Sequence, residues 1–187
     1  MPCSQRKTVY LAARYGRRVE LCGYRDQLTA AGYAVTSRWL NGSDEETDNG
    51  VDPLPHTQGG ALVAEEDRED VAAADLLLLF TDAPPKQTSR GGHMMELGLA
   101  LGWNLAWVHF WRATGDDYSL DPKTIVMIGP EQNCFCSLPE VTRFPDFASC
   151  VQFLISVDAW CLRLGEQGEG LDEVAPLLTA GEPHEEE

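Results

Sequence analysis

Residues 61–80, "ALVAEEDREDVAAADLLLLF", decide the fold. The first fifteen read as a helix. Ala64, Asp67, Val71 and Ala74 recur at intervals of three and four and share one face, while Glu66, Glu69 and Asp70 point elsewhere. The last five, Leu76–Phe80, are apolar without interruption and too few for a helix. A strand of that kind is buried on both sides, as at the centre of a parallel sheet. A helix that runs straight into such a strand is half of a βαβ unit.

The same alternation extends in both directions. "TVYLAA" (8–13) reads as a strand, "YGRRVELCGYRDQLTAAG" (15–32) as an amphipathic helix with Gly32 at its C-terminal glycine position, and "YAVTS" (33–37) as the next strand. Residues 41–60, rich in Gly, Asp, Asn and Pro, form a long loop. After Phe80 come the loop "TDAPPKQTSRGG" and a helix beginning in "GGHMMELGLALG" (91–102). "LAWVHFW" (105–111) fits either a further strand or a prolongation of that helix. "KTIVMIG" (123–129) is a strand, and residues 146–165 form a closing amphipathic helix. The expected architecture is one doubly wound, three-layer α/β domain of the Rossmann or flavodoxin type over residues 1–164. Its sheet is mostly parallel, with about five strands, and an acidic, flexible tail follows over 165–187.

The net charge of −16 is uneven, and setting aside the eight acids of residues 165–187 halves it to −8. So acidic a body is unsuited to polymeric nucleic acid, whose binding rests on Lys and Arg. A small phosphorylated ligand needs only a local cluster such as Arg14, Arg17 and Arg18. No apolar run approaches a membrane span and no signal peptide is read, so a cytoplasmic protein is expected. The six cysteines form no C-x-x-C pair and have no His at zinc spacing. Buried thiols in a reducing compartment are expected, with no metal.

The loop after the first strand reads A-A-R-Y-G rather than G-x-G-x-x-G, and no Walker lysine follows. Neither a dinucleotide nor ATP is implied, and no other cofactor is. One residue is out of place. Glu96 stands among Met94, Met95, Leu97 and Leu99, in a helix read as apolar all round and therefore buried. A buried carboxylate is costly unless something pairs with it or uses it. Lying just after Gly91 and Gly92, it faces the crevice at the strand ends, where α/β proteins bind ligands. There it is suited to act as nucleophile or general base, the ordinary alternative being a capping or surface glutamate. Asp67 is a second carboxylate on an inward face or simply one more acid in an acidic run. Tyr10, in mid-strand, suits either a core or a site.

"TVYLAA", "EEDREDVAAADLLLLF" and "GGHMMELGLALG" together resemble the nucleoside 2-deoxyribosyltransferase family and its relatives, the 2'-deoxynucleoside 5'-monophosphate N-glycosidases. "GPEQNCFCSLPEVTRF" is similar to a segment of bacterial and phage members, and the resemblance spans roughly residues 8–147. It implies that Glu96 attacks the anomeric carbon of the sugar, that Asp67 contacts the sugar and assists the departing base, and that Tyr10 hydrogen-bonds the nucleophile. It also implies that Asn133 reaches the 5' end of the sugar in a neighbouring subunit's site, and hence at least a homodimer. The substrate would be a nucleoside or nucleotide, with transfer to another base or to water. A nucleotide-binding module without catalysis is the other reading. Where the transferases carry an acid and the hydrolases a serine, this chain has Arg90 beside Ser89, and its first loop offers Arg14 in place of a phosphate-binding serine. Ser89, Arg90, Gly92 and Met95 complete the expected substrate contacts. Trp39, with Ser37 and Arg38, is expected on the base side, and Met94, Met95 and Trp side chains as an apolar cradle.

Overall fold

The computed structural model describes residues 7–42, 58–82, 91–115 and 121–167. Five strands, β1 (Thr8–Ala12), β2 (Ala34–Val35), β3 (Leu76–Phe80), β4 (Thr124–Ile128) and β5 (Val141–Phe144), form one parallel sheet in the order β2-β1-β3-β4-β5. Helices α1 (Arg18–Ala30) and α4 (Phe147–Gln167) cover one face, and α2 (Gln58–Ala73) and α3 (Gly92–Thr114) cover the other. This is the expected three-layer, doubly wound α/β domain.

Period-two alternation along the strands builds two cores. Val9 and Leu11 of β1 join Leu76, Leu78, Phe80, Val126 and Ile128 beneath α1 and α4. Tyr10 and Ala12 join Leu77, Leu79, Ile125 and Met127 beneath α2 and α3. All five residues of β3 are buried, as its uninterrupted apolar run requires.

Several local expectations are corrected and one open alternative is resolved. A 3-10 turn (Tyr15–Arg17) precedes α1. "LAWVHFW" continues α3, because nothing breaks the helix before Gly115, which ends it at φ +65°. The fifth strand is Val141–Phe144 instead, a stretch whose alternation is too short to read from sequence. On α2 the buried stripe is Asp70, Val71 and Ala74, with Ala64 exposed. Asp70 turns inward because Arg38 holds it, through Nε to Oδ1 at 2.7 Å and backbone N to Oδ2 at 2.7 Å.

The strand ends that frame the crevice are held tightly. Gly129, just after β4, has φ +112°, and a Cβ there would lie 2.7 Å from both the carbonyl and the hydroxyl oxygen of Thr81. Only glycine permits that approach. No described helix is long and apolar enough to cross a membrane.

Candidate functional site

Three elements each deliver one polar side chain to the same side of the sheet. Tyr10 points from the middle of β1 toward α2 and α3 and is fully buried. Its hydroxyl donates to Asp67 Oδ1 at 3.2 Å. Asp67, half-buried, is one turn before the buried Val71 of α2. Glu96 is one turn before the buried Ala100 of α3 and is itself buried. Glu96 acts on the same hydroxyl, its charge raising the phenol's pKa more than that of Asp67 does. The predicted trio is therefore one cluster, assembled from residues 57 and 29 positions apart in sequence.

The phenol's pKa is driven well above its ordinary value. Burial is the largest cause, followed by the negative charges of Glu96 and Asp67 and by hydrogen bonding to both. Tyr10 is thus a fixed donor, with one proton for two carboxylates. Acids gathered in so dry a place attract positive charge, and a cationic centre developing beside them is stabilised without reorganisation.

Gly91 sets the approach of α3. It sits at φ +86°, and its carbonyl accepts from the backbone N–H groups of Met94 and Met95 at 3.0 and 3.1 Å. Gly92 is the exposed first residue of α3, and Glu96 follows in the second turn. Met94 is half-buried, whereas Met95 is 72% exposed and forms no wall of the cluster. The inward side of α3 is taken by His93, Glu96, Leu97 and Ala100, which leaves Met95 on the outer side. The expected apolar cradle is corrected by the loss of Met95.

The remaining predicted contacts sit around the strand ends in various states. Arg14 is ion-paired with Asp82, and Arg17 joins the same carboxylate at 3.6 Å. Arg14 is therefore held by an internal anion. Trp39 donates its indole N–H to Leu11 O at 2.9 Å and lies against Tyr15, 6.0 Å between ring centroids. Ser37 is buried, its hydroxyl accepting from Leu11 N at 2.7 Å, and Arg38 is bound to Asp70 and Glu69. Both hold the joint between β1, β2 and α2. Asn133 is exposed. Its oxygen caps a short 3-10 turn through Phe135 N at 3.0 Å, and its nitrogen lies 3.2 Å from Met94 Sδ. Ser89 and Arg90 lie outside the described residues.

Sequence reasoning missed a strut beside the cluster. Gln132 Oε1 accepts from His93 Nε2 at 3.1 Å, and Gln132 Nε2 donates to Asp82 O at 3.1 Å. It ties the start of α3 to the ends of β3 and β4. The signal available was positional, since Asp82 and Gln132 each follow a central strand by a few residues. Among the described residues, no three His, Cys, Asp or Glu side chains gather as metal ligands.

Fold and cluster together define a parallel α/β domain with a carboxylate–phenol–carboxylate site at the start of α3. No family model and no curated protein matches the chain.

Proposed function

We propose that the protein cleaves the N-glycosidic bond of a 2'-deoxynucleoside or its 5'-monophosphate through a covalent glycosyl–enzyme on Glu96. The observation that carries this reading is the buried Tyr10 hydroxyl, which donates to Asp67 and whose proton is held by the nearby charge of Glu96 as well. It is supported by the resemblance of the three segments that supply these residues.

In the first step a Glu96 carboxylate oxygen bonds to C1' as the C1'–N bond breaks, and the bond's electron pair leaves with the base. Asp67 enters this step as the neutral acid, passes its proton to the departing base and is left as carboxylate. The two acids flank an oxocarbenium-like centre, as in retaining glycosidases. In the second step a nitrogen of an acceptor base attacks C1' and Glu96 leaves as carboxylate, while Asp67 takes the acceptor's proton. Tyr10 keeps its proton throughout and orients the acids. The enzyme acts in the cytoplasm, on small nucleosides or nucleotides, as at least a homodimer.

The test is a panel of deoxynucleosides and deoxynucleotides incubated with the protein, with and without a free base, and resolved by chromatography. Base exchange that requires an acceptor is the expected result. Release without acceptor makes the protein a hydrolase of the same bond. Binding without product from any substrate overturns the catalytic reading in favour of a nucleotide-binding module.

A further inference from the structure

One buried titratable side chain near the cluster has no part in the chemistry above. His93, 5% exposed, is the second residue of α3 and lies one turn before Glu96, on the inward face it shares with Leu97. Its Nε2 is 3.1 Å from Gln132 Oε1, and the Gln132 amide nitrogen donates to Asp82 O at 3.1 Å. Asp82 O can only accept, which turns the amide nitrogen toward it and the amide oxygen toward His93. His93 Nε2 therefore carries the hydrogen of that bond. The far end of the strut is stiff. Gln132 follows Pro130, whose carbonyl accepts from the Thr81 hydroxyl at 2.7 Å, and Gly129, which Thr81 crowds too closely for any side chain.

The near end is where α3 needs holding. Gly91 and Gly92 open the helix, no side chain caps it, and its first turn holds no acid to complement the helix dipole. Placement matters more here than burial. An apolar residue at position 93 would cover the sheet as well, as Leu97 and Ala100 do one and two turns on. Apolar contact has no preferred angle and lets a helix roll, whereas a hydrogen bond fixes a distance and a direction. A roll of about 10° carries a carboxylate roughly 6 Å from the helix axis through about 1 Å. Misplacement on that scale costs up to about 100-fold in rate.

We propose that His93 and Gln132 are positioning residues for Glu96, their bond fixing the first turn of α3, and so the carboxylate one turn on, against the ends of β3 and β4. Asp82 extends the strut to a third element. Its carbonyl holds Gln132, while its carboxylate pairs with Arg14 and Arg17 after β1. The helix that carries Glu96 is thereby tied to the ends of β1, β3 and β4 together. The effect of the strut on turnover rests on the glycosyl-transfer reading above, whereas its hold on α3 does not.

The test compares His93→Leu, Gln132→Leu and the double variant with the wild type, and adds His93→Gln, whose amide nitrogen can donate from close to the place of Nε2. In the Leu variants kcat for N-glycosidic turnover should fall about 10- to 100-fold with KM nearly unchanged, the pattern of a displaced nucleophile. The double variant should lose no more than the worse single one, because either change alone breaks the strut. His93→Gln should recover most of the loss. Amide hydrogen exchange reads the same strut without substrate. The N–H groups of Met94 and Met95, both bonded to Gly91 O, should exchange about 10-fold faster in the Leu variants, while that of Leu78 in β3 exchanges as before. Exchange at Met94 and Met95 that stays at the wild-type rate overturns the inference, and so does kcat per folded molecule that stays at the wild-type value. Equal acceleration in α3 and β3 marks general destabilisation and overturns it too. A wild type without turnover on any substrate removes the glycosidic reading, and the exchange measurement then decides whether the strut holds α3.

Discussion

Two tyrosines on opposite faces of the sheet show what separates the halves of this molecule. Tyr24, under the α1 and α4 layer, stacks its ring on Phe147 with centroids 4.0 Å apart, while its hydroxyl reaches out to Glu20 at 2.9 Å. Its apolar body is buried and its polar tip is wet, as is usual for this side chain. Tyr10, under α2 and α3, is buried to its oxygen, and that oxygen meets two carboxylates inside the protein. The first face contributes stability through apolar contact. The second gives up a uniformly apolar core to keep acids in a dry site, the arrangement expected where chemistry occurs.

The largest expected effect tests the second face. Glu96→Gln keeps shape and removes the charge, so turnover of the N-glycosidic bond should fall by about 10³-fold or more, roughly 4 kcal/mol of barrier. The thermal midpoint should stay the same or rise, because a buried charge is gone. Undiminished turnover would dissolve the contrast between the faces. Phe80→Ala should show the opposite signature. Phe80 is 1% exposed and packs against both Tyr24 and Phe147, so its loss should cost about 3–5 kcal/mol in denaturant unfolding, with activity per folded molecule retained.

Exchanging the two hydroxyls comes next. Tyr10→Phe removes the proton shared by Asp67 and Glu96, and turnover should drop on the order of 10- to 100-fold, the range of a lost acid–base or positioning contact. The acid limb of the pH–rate profile should move upward, since two acids without their donor repel and one retains its proton longer. Tyr24→Phe, which loses an exposed bond to Glu20, should change stability by under about 1 kcal/mol and leave the profile in place. Equal effects from the two variants would erase the distinction.

A further effect is alkaline. Burial raises the Cys150 thiol from 9.0 to about 11 in the folded chain. Unfolding therefore releases a proton between those values, so the contribution is full below pH 9 and lost as pH rises through about 11. The thermal midpoint should decline over that window, and Cys150→Ala should flatten part of the decline. Tyr10 and Tyr24, both raised chiefly by burial, deepen the loss at higher pH.

Much of the fold was legible because its strongest signals are local. Leu76–Phe80 announced the central strand by composition alone, and the apolar setting of Glu96 marked the carboxylate that the structure buries. Illegible features depended on partners. Asp70 is an acid within an acidic run until Arg38, 32 residues away, draws it inward. Met95 and Met94 are indistinguishable neighbours in sequence, and only the packed orientation of α3 makes one exposed and the other half-buried. β5 is too brief to show a period and exists because β4 pairs with it.

By itself the sequence determined the alternation of strands and helices, the parallel class of the sheet, and which acids stand in apolar company. Those follow from side-chain period and chain connectivity, which act over a few residues. Tertiary structure decided that Tyr10, Asp67 and Glu96 meet, that Asp82 occupies Arg14, and that Met95 and Leu99 of α3 stand exposed while Glu96 and Leu97 are buried. Each requires elements far apart in the chain to dock in one orientation, and that orientation is fixed by the whole core.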